Sequence, residues 1–247
     1  MNSLKKVFNV IKELTKVNLI KTIYFNYSSF PFYIASRLPI LFYGKVKFKD
    51  LSGKVNIDST IVKFGIIKFG GSHEIVVSSN SPTELLIKGN ITFTGSATFG
   101  QGTKIVIWEN GNLICRNNFS LGSNSHIVSF RRIEFGSNVL ISWNCNFYDT
   151  DFHFIKNAST NEVADNCKEV SIGSNTWIGS HVTVLKGTKL PNEIVIGSNS
   201  VCSSDYSLKI NSKSIIAGNP AKLIKEDFVY ILDKREESVL FKKYIGL

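Results

Sequence analysis

Residues 170–202 read VSIGSNTWIGSHVTVLKGTKLPNEIVIGSNSVC. Within them an aliphatic or thiol side chain returns at every sixth position, as Ile172, Ile178, Val184, Leu190, Ile196 and Cys202, and Leu208 continues the frame. With 43% of residues apolar, seven hits in one frame would arise by chance at about 0.3% of starting points. Neither helix nor strand alternation produces a period of six. A coil with three flat sides does, because one inward residue per side stacks on its equivalent in the next coil. The spacing therefore predicts an all-β solenoid, a parallel β-helix. Gly173, Gly179 and Gly197 follow aliphatic members of the run, where a corner would demand tight or left-handed backbone.

The same spacing recurs upstream in Cys115, Leu121, Ile127, Ile133, Val139 and Cys145, and in Ile87, Phe93, Phe99 and Ile105. Between Cys145 and Ile172 the frame breaks, since six does not divide the 27 residues that separate them. The segment 146–170 is polar and turn-rich, and such an interruption is where repeat proteins place function. Near the start, Leu4, Val7, Phe8, Ile11, Leu14 and Val17 stand at helical spacing among lysines. This pattern predicts a basic amphipathic helix over 2–18 that caps the solenoid or lies against a membrane surface. A second helix is expected over 226–244. The chain thus divides into an N-terminal helical and irregular lead-in (1–50), a β-helix (51–224) with its inserted loop, and a helical tail (225–247).

Composition agrees with this reading: 18 Gly and 18 Phe against one Met and five Pro favour β-structure over helix. A formal charge of +10 suits an anionic partner. The most hydrophobic region, 19–43, is broken by Lys21, Pro31, Arg37 and Pro39, so no spanning helix is expected. No secretory leader is expected either. Cys115, Cys145, Cys167 and Cys202 form no C-x-x-C pair, which argues for a reduced, cytoplasmic protein without a metal knuckle.

The stretch 170–188, with Ile196-Gly-Ser-Asn-Ser-Val201 and Ala217-Gly-Asn-Pro-Ala-Lys222, resembles the hexapeptide-repeat acyltransferases over about residues 85–224. The loop Asp149-Thr-Asp151-Phe-His153 is similar to the Asp-x-Asp-x-His loop of the O-acetyltransferases of bacterial capsular and lipopolysaccharide assembly. The resemblance implies a left-handed β-helix and a homotrimer. It also implies acetyl-coenzyme A as donor, bound between coils of adjacent subunits, a sugar or glycan hydroxyl as acceptor, and a catalytic histidine on the inserted loop. Trp177, Lys186, Ala217 and Lys222 match the positions that the family turns toward coenzyme A.

Acyl transfer to a hydroxyl needs a base, because the hydroxyl is a poor nucleophile until its proton is being removed. Of His73, His126, His153 and His181, only His153 lies in the insertion with two carboxylates nearby. In an extended segment residues 149, 151 and 153 share one side, so Asp149 or, by a small preference, Asp151 could orient the imidazole; either could instead cap loop amides. The Gly179 amide is a candidate donor to the developing oxyanion. His181 is expected to point outward at a corner, and His73 and His126 are expected to be structural. N-acetylation of an amino sugar, serine-type O-acetylation and a catalytically silent scaffold remain alternatives. The lack of an H-x4-H pair argues against zinc hydration chemistry of the carbonic anhydrase type. A nucleic-acid role lacks an aromatic and basic platform.

Overall fold

A computed structural model describes residues 15–58, 60, 62–71 and 79–246; the helix expected over 2–18 lies mostly outside them, as does His73. Strands β1 (Ile40–Phe42), β2 (Val46–Asp50) and β3 (Lys54–Ile57) form the three sides of the first coil. Each later side pairs in parallel with the side one coil earlier, giving sheets of nine, seven and six strands. The result is a three-sided prism, with one antiparallel pair at the end, β21 (Ser214–Gly218) with β22 (Ala221–Glu226). No helix among the described residues is long and apolar enough to cross a membrane.

On the nine-stranded face, register aligns Phe42, Phe69, Phe99, Leu121, Ile141, Ile178, Ile196 and Ile216 in one inward column. None of them is more than 1% exposed. The aromatic end of this column is stacked, with Phe69 and Phe99 rings 4.3 Å apart at 11°. Cys115, Cys145 and Cys202 are buried thiols in the same core and act there as small apolar residues.

The period of six is physical throughout, yet the coil length is not constant. Ile178 to Ile196 is one coil of 18 residues, but Leu121 to Ile141 takes 20 and Phe99 to Leu121 takes 22. In the longer coils a six-residue step no longer lands on the stacking partner: Cys115 pairs with Phe135 rather than with Ile133. It still lands inside, because strand alternation has period two and six is even. The run ends earlier than its frame predicts. Leu208 is 85% exposed because the chain turns out of the coil after Cys202, and Tyr206, 5% exposed, goes in instead.

The corners also differ in detail from expectation. At one corner the left-handed residues are Asn124, Asn144, His181 and Asn199, with φ of 56° to 60°, while Gly179 is absent from the positive-φ set. Asparagine tolerates this conformation through its short polar side chain. A second corner column forms an amide ladder, Asn118 Nδ2 to Asn138 Oδ1 at 3.0 Å and Asn138 Nδ2 to Asn175 Oδ1 at 2.9 Å. Glycine serves the approach of the next coil, since a Cβ on Gly179 would lie 2.7 Å from Ser198 N.

Helix α1 (Leu19–Ser29) and the short α2 (Phe32–Ala35) cover the N-terminal end, and α3 (Lys234–Tyr244) follows the last strand pair. The free edge of β1 is closed by α1 side chains. Asn26 Nδ2 donates to Ile40 O at 2.7 Å, its Oδ1 accepts from Ile40 N at 3.2 Å, and Thr22 Oγ1 accepts from Phe42 N at 3.0 Å.

Val184 is fully buried between Phe147 and Cys202 in register. Val184→Asp should cost several kcal/mol, about 3 or more, because an unpaired carboxylate would enter a continuous apolar column. Thermal or chemical denaturation checks this, and an unchanged midpoint would refute the column.

Candidate active site

The inserted segment leaves the seven-stranded face after β14 (Asn146–Tyr148) and rejoins the six-stranded face at β15 (Val170–Ile172). It therefore projects from the corner between those two faces, opposite the nine-stranded face. Phe147 to Val184 spans 37 residues where the next coil needs 18. The extra chain forms a narrow two-limbed arm, with antiparallel bridges Thr150–Cys167 and Lys156–Val163. Asn157 Oδ1 accepts from Ser159 N and Thr160 N at the tip. Residues 151–165 are all exposed, and the arm presents Phe152, Phe154, Ile155 and Val163 to solvent at 51% to 70%.

The two carboxylates and His153 do not share a side. Thr150 Oγ1 accepts from Phe152 N at 3.0 Å and Phe152 has φ +63°, so a turn breaks the extended alternation assumed from the sequence. Asp149 points back into the preceding coil and is fully buried. It accepts from Ser129 Oγ at 2.9 Å, Phe130 N at 2.7 Å and Arg131 N at 2.8 Å. This is the amide-capping alternative, and it makes Asp149 the root of the arm. Asp151 points toward the following coil and pairs with Lys186 Nζ at 2.6 Å. His153 is exposed and has no hydrogen-bond or ion-pair partner among the described residues.

Lys186, expected to face coenzyme A, is spent on the arm: besides Asp151 it donates to Asp165 O at 2.6 Å, tying the two limbs together. Arg131 Nη1 reaches Asp165 Oδ2 at 2.9 Å. The Cys167 amide and then the Arg131 guanidinium hold the Asp165 carboxyl below its ordinary pKa. This clamp was not read from the sequence, since Arg131 and Asp165 belong to no run or motif and meet only through coil stacking.

Gly179 is not an available oxyanion donor. Its amide already donates to Ile196 O at 2.8 Å in the inter-coil ladder, and its carbonyl accepts from the Cys145 thiol. The Cys145 thiol is pushed up to about 11 by burial. His181 stands in the corner column with Nε2 3.0 Å from Asn144 Nδ2. His126 is half-buried on the seven-stranded face, and burial, then Lys104, lowers its pKa.

Trp177, Ala217 and Lys222 gather on the nine-stranded face. Trp177, 39% exposed, is in register with Val195 and Ile215, and Ala217 pairs with Lys222 across the terminal hairpin. The Tyr230 ring lies 5.9 Å from that of Trp177. Where the returning chain crosses this face it leaves a cleft of about 350 Å³ lined by Thr98, Ser120, Leu140, Tyr230, Leu232 and Lys234 among others. Its wall is as polar as it is apolar, with the hydroxyls of Thr98 and Ser120 beside Leu140 and Leu232, and Lys234 supplies a cation. Within one chain, this strip and His153 stand on opposite sides of the prism.

The chain is 31% identical to WbbJ of Escherichia coli K12, a protein assigned as a lipopolysaccharide biosynthesis O-acetyl transferase, over 146 residues that cover 56% of this chain and 72% of WbbJ. It is 35% identical over 113 residues to a protein assigned as an acetyltransferase in Staphylococcus aureus MRSA252, covering 38% of this chain. The match spans about half (55%) of that relative. No protein-family model matches. Among solved structures, the polysialic acid-specific acetyltransferase NeuO is similar with a TM-score of 0.46 and 20% identity, over 83% of this chain and 87% of NeuO. A three-sided parallel solenoid and a match over most of the length of WbbJ place the chain in the hexapeptide-repeat acyltransferases.

Asp149→Asn should lower stability by about 2–3 kcal/mol, because the new NH2 would face an amide donor in a buried site. Lys186→Met should change global stability by less than about 1 kcal/mol, since the pair is partly exposed, yet speed proteolytic cleavage within 154–164 several-fold as the limbs part. Denaturation and timed proteolysis separate the two effects.

Proposed function

We infer that the protein moves the acetyl group of acetyl-coenzyme A onto a sugar hydroxyl in the assembly of a lipopolysaccharide or capsular glycan, with His153 as general base. The observation that carries this reading is a lone exposed imidazole on an arm inserted into the solenoid of an acyltransferase. The similarity to WbbJ, whose name specifies O-acetyl transfer in lipopolysaccharide biosynthesis, supplies the acceptor class.

Acetyl-coenzyme A brings the acyl group as a thioester. Neutral His153 takes the proton of the acceptor hydroxyl while that oxygen bonds to the acyl carbon; the C–S bond then breaks, and the proton held on the imidazole is available to the departing thiolate. Water exclusion falls to the apolar side chains of the arm, Phe152, Phe154 and Ile155. Donor binding falls to the strip of Trp177, Ala217 and Lys222 and the cleft beside it, with Tyr230 and Lys234 added to the residues chosen from the sequence.

His153 and that strip lie on opposite sides of one prism, and neither Asp149 nor Asp151 is left to orient the imidazole. Both facts favour a site completed by neighbouring copies, with the arm of one chain reaching the nine-stranded face of the next. A homotrimer closes such a head-to-tail arrangement by symmetry.

His153→Ala should lower acetyl transfer by about 10²- to 10⁴-fold while leaving coenzyme A affinity unchanged, as expected for loss of a base that serves only the acceptor. Steady-state kinetics with a sugar acceptor and calorimetric titration with coenzyme A read the two quantities. Near-normal turnover in this variant would overturn the assignment. Light scattering should return about three times the chain mass.

A further inference from the structure

Helix α1 has its polarity reversed. The side that faces the solenoid carries Thr22 and Asn26, both fully buried, with Phe25 between them. Their polar atoms are needed there, because β1 is the first strand of a parallel sheet and its outer backbone groups would otherwise be unpaired. The opposite side is apolar: Ile20 is 81% exposed, Tyr24 58% and Tyr27 48%, and α2 adds Phe32 at 75% and Tyr33 at 68%. Aliphatic and aromatic side chains therefore crowd one end of the prism; Tyr24 leans on the Phe48 ring at 6.1 Å and Tyr27 on Phe32 at 6.1 Å, and their outer surfaces stay exposed.

Charge is concentrated at the same end. Residues 15–50 hold six Lys or Arg against one acid, Asp50, and of these Lys49 is paired with Glu84 at 2.6 Å. Arg37, Lys45 and Lys47, beside the cap or on the first coil, are exposed. Aliphatic insertion, interfacial tyrosines and surrounding cations together are the combination that anionic bilayers select in interfacial helices. A protein partner would need acidic complementarity as well as an apolar groove, whereas an anionic membrane offers both terms over any area.

We propose that the α1–α2 cap is a docking surface for an anionic lipid bilayer, with Ile20, Tyr24, Tyr27, Phe32 and Tyr33 entering the interfacial layer and the basic residues around them meeting the headgroups. This does not rest on the acyl-transfer reading. The cap belongs to the first coil and the arm to the fifth, about 20 Å away at ~4.8 Å per coil.

The test is flotation of the full chain with vesicles of phosphatidylcholine alone or with about 30% phosphatidylglycerol. The chain should float only with the anionic vesicles at about 0.1 M salt and be released near 1 M. Ile20→Ser combined with Tyr33→Ser should cut the bound fraction about tenfold. Both residues are exposed, so circular dichroism and the melting midpoint should stay as in the parent. Tyr24→Trp should show a blue-shifted emission with anionic vesicles only. Failure of the full chain to float, or equal binding by the double variant, overturns the proposal. So does flotation that needs removal of residues 1–14, which would mean that the chain's own start covers the face. Lipid-free association that the double variant abolishes, without flotation, would assign the face to a second copy instead. None of these outcomes bears on turnover, which His153→Ala tests separately.

Discussion

Each coil is tied to the next by parallel backbone hydrogen bonds, such as Gly122 N to Ile141 O at 2.8 Å and Gly197 N to Ile216 O at 2.9 Å. This ladder dictates which residue stands above which. Once register is set, side chains form columns of a recurring kind: apolar inside, mostly asparagine at left-handed corners, glycine where the next coil passes closest. It also commits the amides that take part in it. Gly179 is at a corner, next to Trp177 and in the most regular repeat, yet its N–H is committed to Ile196 O and cannot meet a substrate oxygen.

The arm leaves the ladder without disturbing it. Val170 pairs with Ile133 and Ile172 with Phe135, as if the intervening residues were absent. This is possible because the departure point is anchored by side chains. Asp149 is fixed by three donors of the preceding coil, and Lys186 and Arg131 brace the two limbs. The core of the prism thus contributes rigidity, and a few polar contacts at the root aim an otherwise solvent-exposed arm.

Much of this was legible in the sequence, for identifiable reasons. The inward columns could be read because burial alternates with period two and any even period stays inside. For the same reason the coil lengths of 20 and 22 could not be read: Ile133 is buried as expected but stacks on Leu113, not on Cys115. The insertion was visible as a broken frame. The directions of Asp149 and Asp151 were not, because one Thr150 hydroxyl bond and one left-handed residue, Phe152, decide them. Leu208 continued the frame in sequence only, since nothing local announces that Tyr206 takes the inward place.

The ends of the prism pose the opposite problem from its middle. A middle strand has both ladder edges occupied, whereas β1 has one edge open, and an open parallel edge invites pairing with another chain. At the far end the antiparallel turn of β22 onto β21 fills that edge with backbone. At the near end the chain uses Asn26 and Thr22 instead. Edge closure accounts for the burial of Thr22 and Asn26, whereas the exposed Ile20, Tyr24 and Tyr27 on the outer side of α1 are a separate feature that this requirement does not impose.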